Sequence, residues 1–180
     1  IAREIRDSGH GNLITFSRKI FIPLTKLCRN FCHYCTFAES PQKQPQNFMT
    51  KDQVLEIAKK GEEFGCKEVL FTLGEKPELR YNSAKDELRK LGHKSTLSYL
   101  YEISKIVLSE TTLLPHINAG TMTREELKHM KEVSVSQGLM LESSSKRLCE
   151  KGMPHYGSID KLPEIRLKTI RLAGLEKIPF

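Results

Sequence analysis

The chain has 180 residues, enough for one domain, and its 38% hydrophobic and 28% charged content is ordinary for a globular protein and excludes disorder and low complexity. No apolar run approaches the roughly 20 residues that span a bilayer, which excludes a transmembrane helix and predicts no membrane partner. The net charge is +7, but the basic residues (Lys59-Lys60, Arg89-Lys90, Arg124, Lys128, Lys131, Lys146-Arg147) are scattered and not interleaved with aromatics, so a solvated surface is expected and no nucleic acid.

Lys19 to Thr25 is a short apolar run rich in strand formers at its start, and it leads directly into three cysteines. After a Pro/Gln-rich loop (Pro41 to Gln46), Thr50-Lys51-Asp52-Gln53 reads as a capping box opening a helix with the stripe Val54, Ile57, Ala58 and Gly61. Gly65 suits the left-handed position that ends it, and Glu68 to Leu73 is a second strand stopped by Gly74. A charged stretch from Glu75 to Lys94 has weaker periodicity. Leu97, Leu100, Tyr101, Ser104, Val107 and Leu108 then mark a second helix. Thr112 to Ile117 looks extended, and Thr123-Arg124-Glu125-Glu126 is another capping box, with Leu127, Met130 and Val133 facing inward. Leu139 to Glu142 reads as a fourth strand. Pro163 opens a last helix with the stripe Ile165, Thr169, Leu172 and Ala173, Gly174 closes it, and a fifth strand is expected to begin at Lys177 to Phe180.

Strands alternating with helices demand parallel strands and crossovers, hence an α/β sheet or barrel. Eight such units need at least about 200 residues, so the expectation is a partial (β/α) TIM-type barrel of about five βα units with the later strands missing. No internal linker divides the chain, and residues 1–180 read as one core domain, incomplete at the C-terminus and with the N-terminal boundary open. The first residue is Ile1 and no charged-then-apolar leader follows, so the expected location is cytoplasmic. Chemistry in either parallel architecture gathers in loops leaving the carboxyl ends of the strands, where the cysteines, Gly74-Glu75, Asn118-Ala119-Gly120 and Glu142-Ser143 all fall.

Five cysteines, an odd count, argue against a disulfide framework. Cys28, Cys32 and Cys35 put three soft thiolates within one short stretch, the ligand type of iron–sulfur clusters or zinc. A zinc site wants a fourth ligand, from His33, Cys66 or Cys149. A four-iron cluster accepts three protein ligands if another molecule holds the last iron. On a helix the three would fall at about 0°, 40° and 340° and could be buried as small apolar groups; the strand before the cluster and the missing fourth ligand count against zinc.

This spacing, with Tyr34 just before the last cysteine, resembles the signature of the radical S-adenosylmethionine (SAM) enzymes. The run from Phe21 to Ala38 (FIPLTKLCRNFCHYCTFA) is similar to the CofG-type branch, the 7,8-didemethyl-8-hydroxy-5-deazariboflavin synthases. So are Phe71 to Glu78, Leu114 to Gly120, Gly138 to Ser143 and Pro163 to Leu167. The family usually has Pro where this chain has Ala119, a change that loosens a turn without removing a reactive group. It also continues past Phe180 into a Thr-Thr-Gly turn, a Gly-Ile-Gly-Glu loop and further strands, so the substrate pocket is expected to be incomplete.

The resemblance implies an enzyme, a lyase-type synthase of deazaflavin coenzyme biosynthesis, in which Cys28, Cys32 and Cys35 hold a [4Fe-4S] cluster whose open iron takes up S-adenosylmethionine. A 5′-deoxyadenosyl radical then abstracts hydrogen from an adduct of a tyrosine-derived hydroxybenzyl group and a ribitylaminouracil, and ring closure with ammonia loss follows. Gly74-Glu75 would receive the cofactor's ammonium, Tyr34 would lie beside the adenine, Glu142 and Ser143 would meet the ribose and methionyl end, and Arg166 would clamp the carboxylate. The implied partners are this small-molecule substrate, a companion adduct-forming enzyme or fused domain, and an electron donor. Asn118 and His116 are candidate substrate contacts, His33 is expected to be exposed, and Cys66 and Cys149 to be plain thiols. The rivals are that companion, menaquinone-pathway or biotin-synthase-like radical enzymes, and a zinc-stabilised basic binding module. Which residue moves protons during ring closure is unassigned.

Overall fold

In the computed structural model, which describes residues 1–180, helix α1 (Ala2–His10) precedes strand β1 (Lys19–Ile22). Helix α2 (Lys51–Glu63), strand β2 (Glu68–Thr72), helices α3 (Asn82–Lys90) and α4 (Thr96–Glu110) and strand β3 (Leu114–Asn118) follow. Helix α5 (Arg124–Lys131), strand β4 (Ser136–Gln137) and helix α6 (Pro163–Leu175) complete the chain. The strands form one all-parallel sheet in chain order, with Lys19 opposite Glu68, Leu70 opposite His116 and His116 opposite Ser136. A doubly wound sheet reverses its strand order at a switch point; this one does not, which is the order of a barrel.

The strand parity sets the two faces. Ile22, Val69, Phe71 and Ile117 are fully buried and pack outward on Val54 and Ala58 of α2, Leu100, Ile103 and Val107 of α4, and Leu127 and Met130 of α5. Each such side chain contributes about 1.5–3 kcal/mol, so tertiary burial rather than helix propensity holds these elements. The other parity (Phe21, Leu70, His116, Asn118) faces the barrel interior.

Both expected capping boxes form: Thr50 accepts from the Gln53 amide and Thr123 from the Glu126 amide, and each partner side chain answers. Gly65 adopts φ 73°, as its helix-ending role requires. A third box, Ser95 with Ser98, opens α4. The charged stretch after Glu75 contains a real helix, α3, whose Ala84 and Leu88 are buried. Its Glu87 carboxylate accepts from the Asn47 and Phe48 amides and from Asn47 Nδ2. Helix α1 buries none of its residues, which is why no apolar stripe announced it.

Three boundaries differ. The fourth strand lies at Ser136–Gln137 and not at Leu139 to Glu142. Gly138 N–H donates to Ile117 O at 2.8 Å, pairing stops there, and the chain turns through Glu142 at φ 65°. Gly174 does not close the last helix, which runs to Leu175 and turns at Lys177, φ 51°. Residues 177–180 form no strand, yet Pro179 O accepts the Gln137 N–H at 2.9 Å, continuing the sheet order by one bond. The sheet therefore has four strands rather than five.

Candidate metal and cofactor site

The loop leaving β1 carries the cysteines, and a close backbone approach fixes it. Thr25 Oγ1 accepts the Leu27 N–H at 3.1 Å and donates to Asn47 O at 2.6 Å, while Gly74 N–H donates to Thr25 O at 2.9 Å. A Cβ on Gly74 would stand 1.7 Å from Leu27 O, so no other residue fits after β2. That contact brings Glu75 N–H within 3.3 Å of Cys28 Sγ and lets Arg29 N–H donate to Glu75 O at 3.0 Å.

Each cysteine of the cluster has a hydrogen-bond donor beside it. Cys28 Sγ accepts from the Asn30 and Glu75 amides, although burial outweighs these bonds and pushes its thiol pKa up. Cys35 Sγ accepts from the Ala38 amide at 3.4 Å, and Cys32 Sγ lies 3.6 Å from Ser158 Oγ. All three line one cavity of about 210 Å³, together with Tyr34, Glu75, Asn118, Glu142 and Arg166. No three His, Cys, Asp or Glu side chains converge closely enough to hold a single metal ion. Soft thiols standing apart around a cavity of this size suit a polynuclear cluster better than one compact tetrahedral ion.

Glu75 is the buried acid of the site, 4% exposed. One carboxylate oxygen accepts from the Thr121 amide at 2.6 Å and from the Thr121 hydroxyl; the other accepts from Asn30 Nδ2 at 3.1 Å and Arg166 Nη2 at 3.4 Å. Burial pushes its pKa up, with the Asp160 charge adding to the effect and the Thr121 bonds and Arg166 opposing it. Arg166, on the first turns of α6, is 3% exposed, and its Nε is buried with no partner. A guanidinium donor left over in a cavity is costly unless an anion or another acceptor reaches it.

The other candidates separate. Glu142 lines the cavity and receives Lys161 Nζ at 2.7 Å; burial works to raise its pKa, but the Lys161 bond leaves it below the usual carboxylate range. Tyr34 lines the cavity with its hydroxyl 3.2 Å from His155 Nε2. Ser143 does not line it, and its hydroxyl accepts the Ser145 N–H at 3.0 Å. Asn118 is buried at the cavity, whereas His116, a strand position further in, bonds Ser136 Oγ at 2.6 Å and stays out of it. His33 is exposed. Asn30, Thr121, Ser158 and Asp160 went unnoticed in the sequence. Asn30 lay inside the cysteine motif and Thr121 one residue past the Asn118 turn, but Ser158 and Asp160 sit in a stretch with no periodicity.

The Radical SAM superfamily model matches residues 22–179. The FO synthase of Mycobacterium tuberculosis is 46% identical over 194 residues, covering 99% of this chain and 23% of that protein. The 7,8-didemethyl-8-hydroxy-5-deazariboflavin synthase of Methanopyrus kandleri is 44% identical over 168 residues, covering 93% and 50%. The chain thus spans 23% and 50% of these relatives' lengths. Among solved structures, the FeFe-hydrogenase maturase HydG of Carboxydothermus hydrogenoformans has a TM-score of 0.70 at 24% identity, over 98% of this chain and 37% of that one. Methylornithine synthase (PylB) has 0.63 at 23%, over 97% and 46%. These last two likenesses bear on the fold, a partial TIM-type barrel.

Proposed function

This chain belongs to the radical SAM superfamily, and from that premise we propose that residues 1–180 are the cluster- and cofactor-binding core of a 7,8-didemethyl-8-hydroxy-5-deazariboflavin synthase. When bound, the [4Fe-4S] cluster and S-adenosylmethionine supply one electron and a radical able to abstract hydrogen. Cys28, Cys32 and Cys35 are the thiolates that would hold the cluster, each with an amide or hydroxyl donor beside its sulfur to orient it.

The observation that carries the cofactor reading is Arg166 Nε, a buried donor without a partner in the same cavity as the three thiols. A carboxylate meets a guanidinium fork with two parallel bonds, so the amino-acid end of S-adenosylmethionine satisfies it. Glu75 already has four donors, about its full capacity. The longest of them, Arg166 Nη2 at 3.4 Å, is the one an ammonium would displace. Arg166 and Glu75 are thereby poised to exchange their mutual contact for the two ends of a zwitterion. Tyr34 and Glu142, which line the same cavity, would meet the adenosyl portion.

The reaction assigned is hydrogen abstraction from the hydroxybenzyl–ribitylaminouracil adduct, then ring closure and ammonia loss. The identities of 44–49% to relatives carrying the synthase names support it. The adduct comes from a companion enzyme or fused domain, and an electron donor completes the set. Anaerobic reconstitution with iron and sulfide should give a brown protein with broad visible absorption. With dithionite, S-adenosylmethionine and the adduct, a full-length version should yield 5′-deoxyadenosine and a fluorescent deazaflavin. A colourless protein with stoichiometric zinc overturns the reading, and deoxyadenosine without deazaflavin confines it to the superfamily.

A further inference from the structure

Residues 154–160 hold the cysteine loop almost residue by residue. Arg29 pairs with both oxygens of the Asp160 carboxylate, Asp160 N–H donates to Asn30 Oδ1 at 3.3 Å, and Phe31 N–H donates to Ser158 Oγ at 2.9 Å. His33 N–H donates to Pro154 O at 2.9 Å, and Tyr34 OH meets His155 Nε2. Within this brace Ser158 is 3% exposed, and its oxygen lies 3.6 Å from Cys32 Sγ.

The direction of that contact follows from proton count. Ser158 Oγ has one hydrogen and already spends a lone pair on the Phe31 N–H, so its hydrogen is free for Cys32. A metal-bound thiolate has no proton and can only accept. We infer that Ser158 is a positioning residue for the cluster: its hydroxyl donates to the Cys32 thiolate, orients that ligand, and makes the bound cluster easier to reduce. The inference rests on the cluster reading above. Reduction adds negative charge shared by the sulfur ligands, and a donor to sulfur stabilises the more negative state. The donors to Cys28 and Cys35 are backbone amides, which every substitution except proline leaves in place. Ser158 is the side-chain donor of the set, so it is where sequence can tune the cluster.

The test compares the reconstituted holoprotein with Ser158→Ala and Ser158→Thr, reading iron content and the midpoint potential by anaerobic redox titration followed by electron paramagnetic resonance. Ser158→Ala should shift the one-electron reduction equilibrium three- to tenfold against the reduced cluster, tenfold being 59 mV. Ser158→Thr, which keeps the hydroxyl, should titrate like the parent. A Ser158→Ala protein with full iron and a reduction equilibrium within twofold of the parent's overturns the inference. If Ser158→Ala binds too little iron to titrate, Ser158→Thr decides: parental loading and potential support the hydroxyl's role, and failure alongside Ala assigns the effect to packing and overturns it. A parent that takes up no four-iron cluster is a different result, because it defeats the reading beneath.

Discussion

Gly120 is the position where the fold leaves the Glu75 carboxylate least freedom. It adopts φ 85°, and a Cβ there would stand 2.4 Å from Glu75 Cδ and 2.7 Å from Cγ and Oε1. The left-handed backbone costs an alanine about 1–2 kcal/mol. Glu75 cannot retreat without loosening the two Thr121 bonds, each a hydrogen bond to a charged group worth about 1.5–3 kcal/mol. Gly120→Ala should therefore destabilise by about 4–8 kcal/mol if both bonds are lost. Gly157 provides the control: its φ is 81° with nothing within 4 Å of a Cβ, so Gly157→Ala should show the backbone cost alone, about 1–2 kcal/mol. Urea unfolding of the metal-free chain measures both. With an m-value of roughly 1–3 kcal/mol/M, the difference moves the midpoint by about 1 M or more. Equal shifts in the two variants would refute the claim that Gly120 is fixed by the Glu75 carboxylate.

Cys32→Ala should abolish reductive cleavage of S-adenosylmethionine, measured as 5′-deoxyadenosine; retained cleavage removes Cys32 from the ligand set. Arg166→Gln should weaken S-adenosylmethionine binding to the reconstituted protein about 10- to 100-fold, the loss of a charge-assisted pair worth about 1.5–3 kcal/mol, and equilibrium titration with unchanged affinity would contradict it. Burial, helped by Lys19, pushes the His116 imidazole below its ordinary pKa, so below about pH 6.5 the unfolded chain binds a proton that the folded chain refuses. Stability should fall as pH drops through that window and His116→Gln should flatten the slope, which a pH series of urea midpoints would show. Glu87→Ala leaves the Asn47 and Phe48 amides without their acceptor and should cost about 2–4 kcal/mol in the same assay.

What the sequence revealed tracks how local its cause was. The Thr50 and Thr123 capping boxes are three-residue patterns with one mechanism, and both stand where the pattern put them. The strand run from Glu68 was legible because turn residues bound it on both sides. The apolar run Leu139-Met140-Leu141 misled: it lies beside an open interior, with Met140 60% exposed, so its hydrophobicity was not that of a buried strand. Helix α3 was hidden because its fixing contact, Glu87 to the 47–48 amides, is tertiary. Likewise the cysteines were plain from spacing, but Ser158 and Asp160 are more than a hundred residues away along the chain, and only folding brings them to the loop.

The charges around the cysteine loop explain why the arrangement points to a zwitterionic ligand. Two buried acids, Glu75 and Asp160, face two arginines, Arg29 and Arg166. Arg29 and Asp160 satisfy one another bidentately, which removes both from further chemistry and ties α6's approach to the loop. Glu75 and Arg166 satisfy one another poorly, at 3.4 Å through a single nitrogen, in a medium where an unused charge is expensive. A ligand with one charge of each sign relieves both at once and leaves the net charge of the cradle unchanged. A simple anion would satisfy Arg166 but crowd Glu75, and a simple cation would do the reverse. The imperfect pair therefore supports the proposed ligand, a molecule bearing a carboxylate and an ammonium a short distance apart, beside the three thiols.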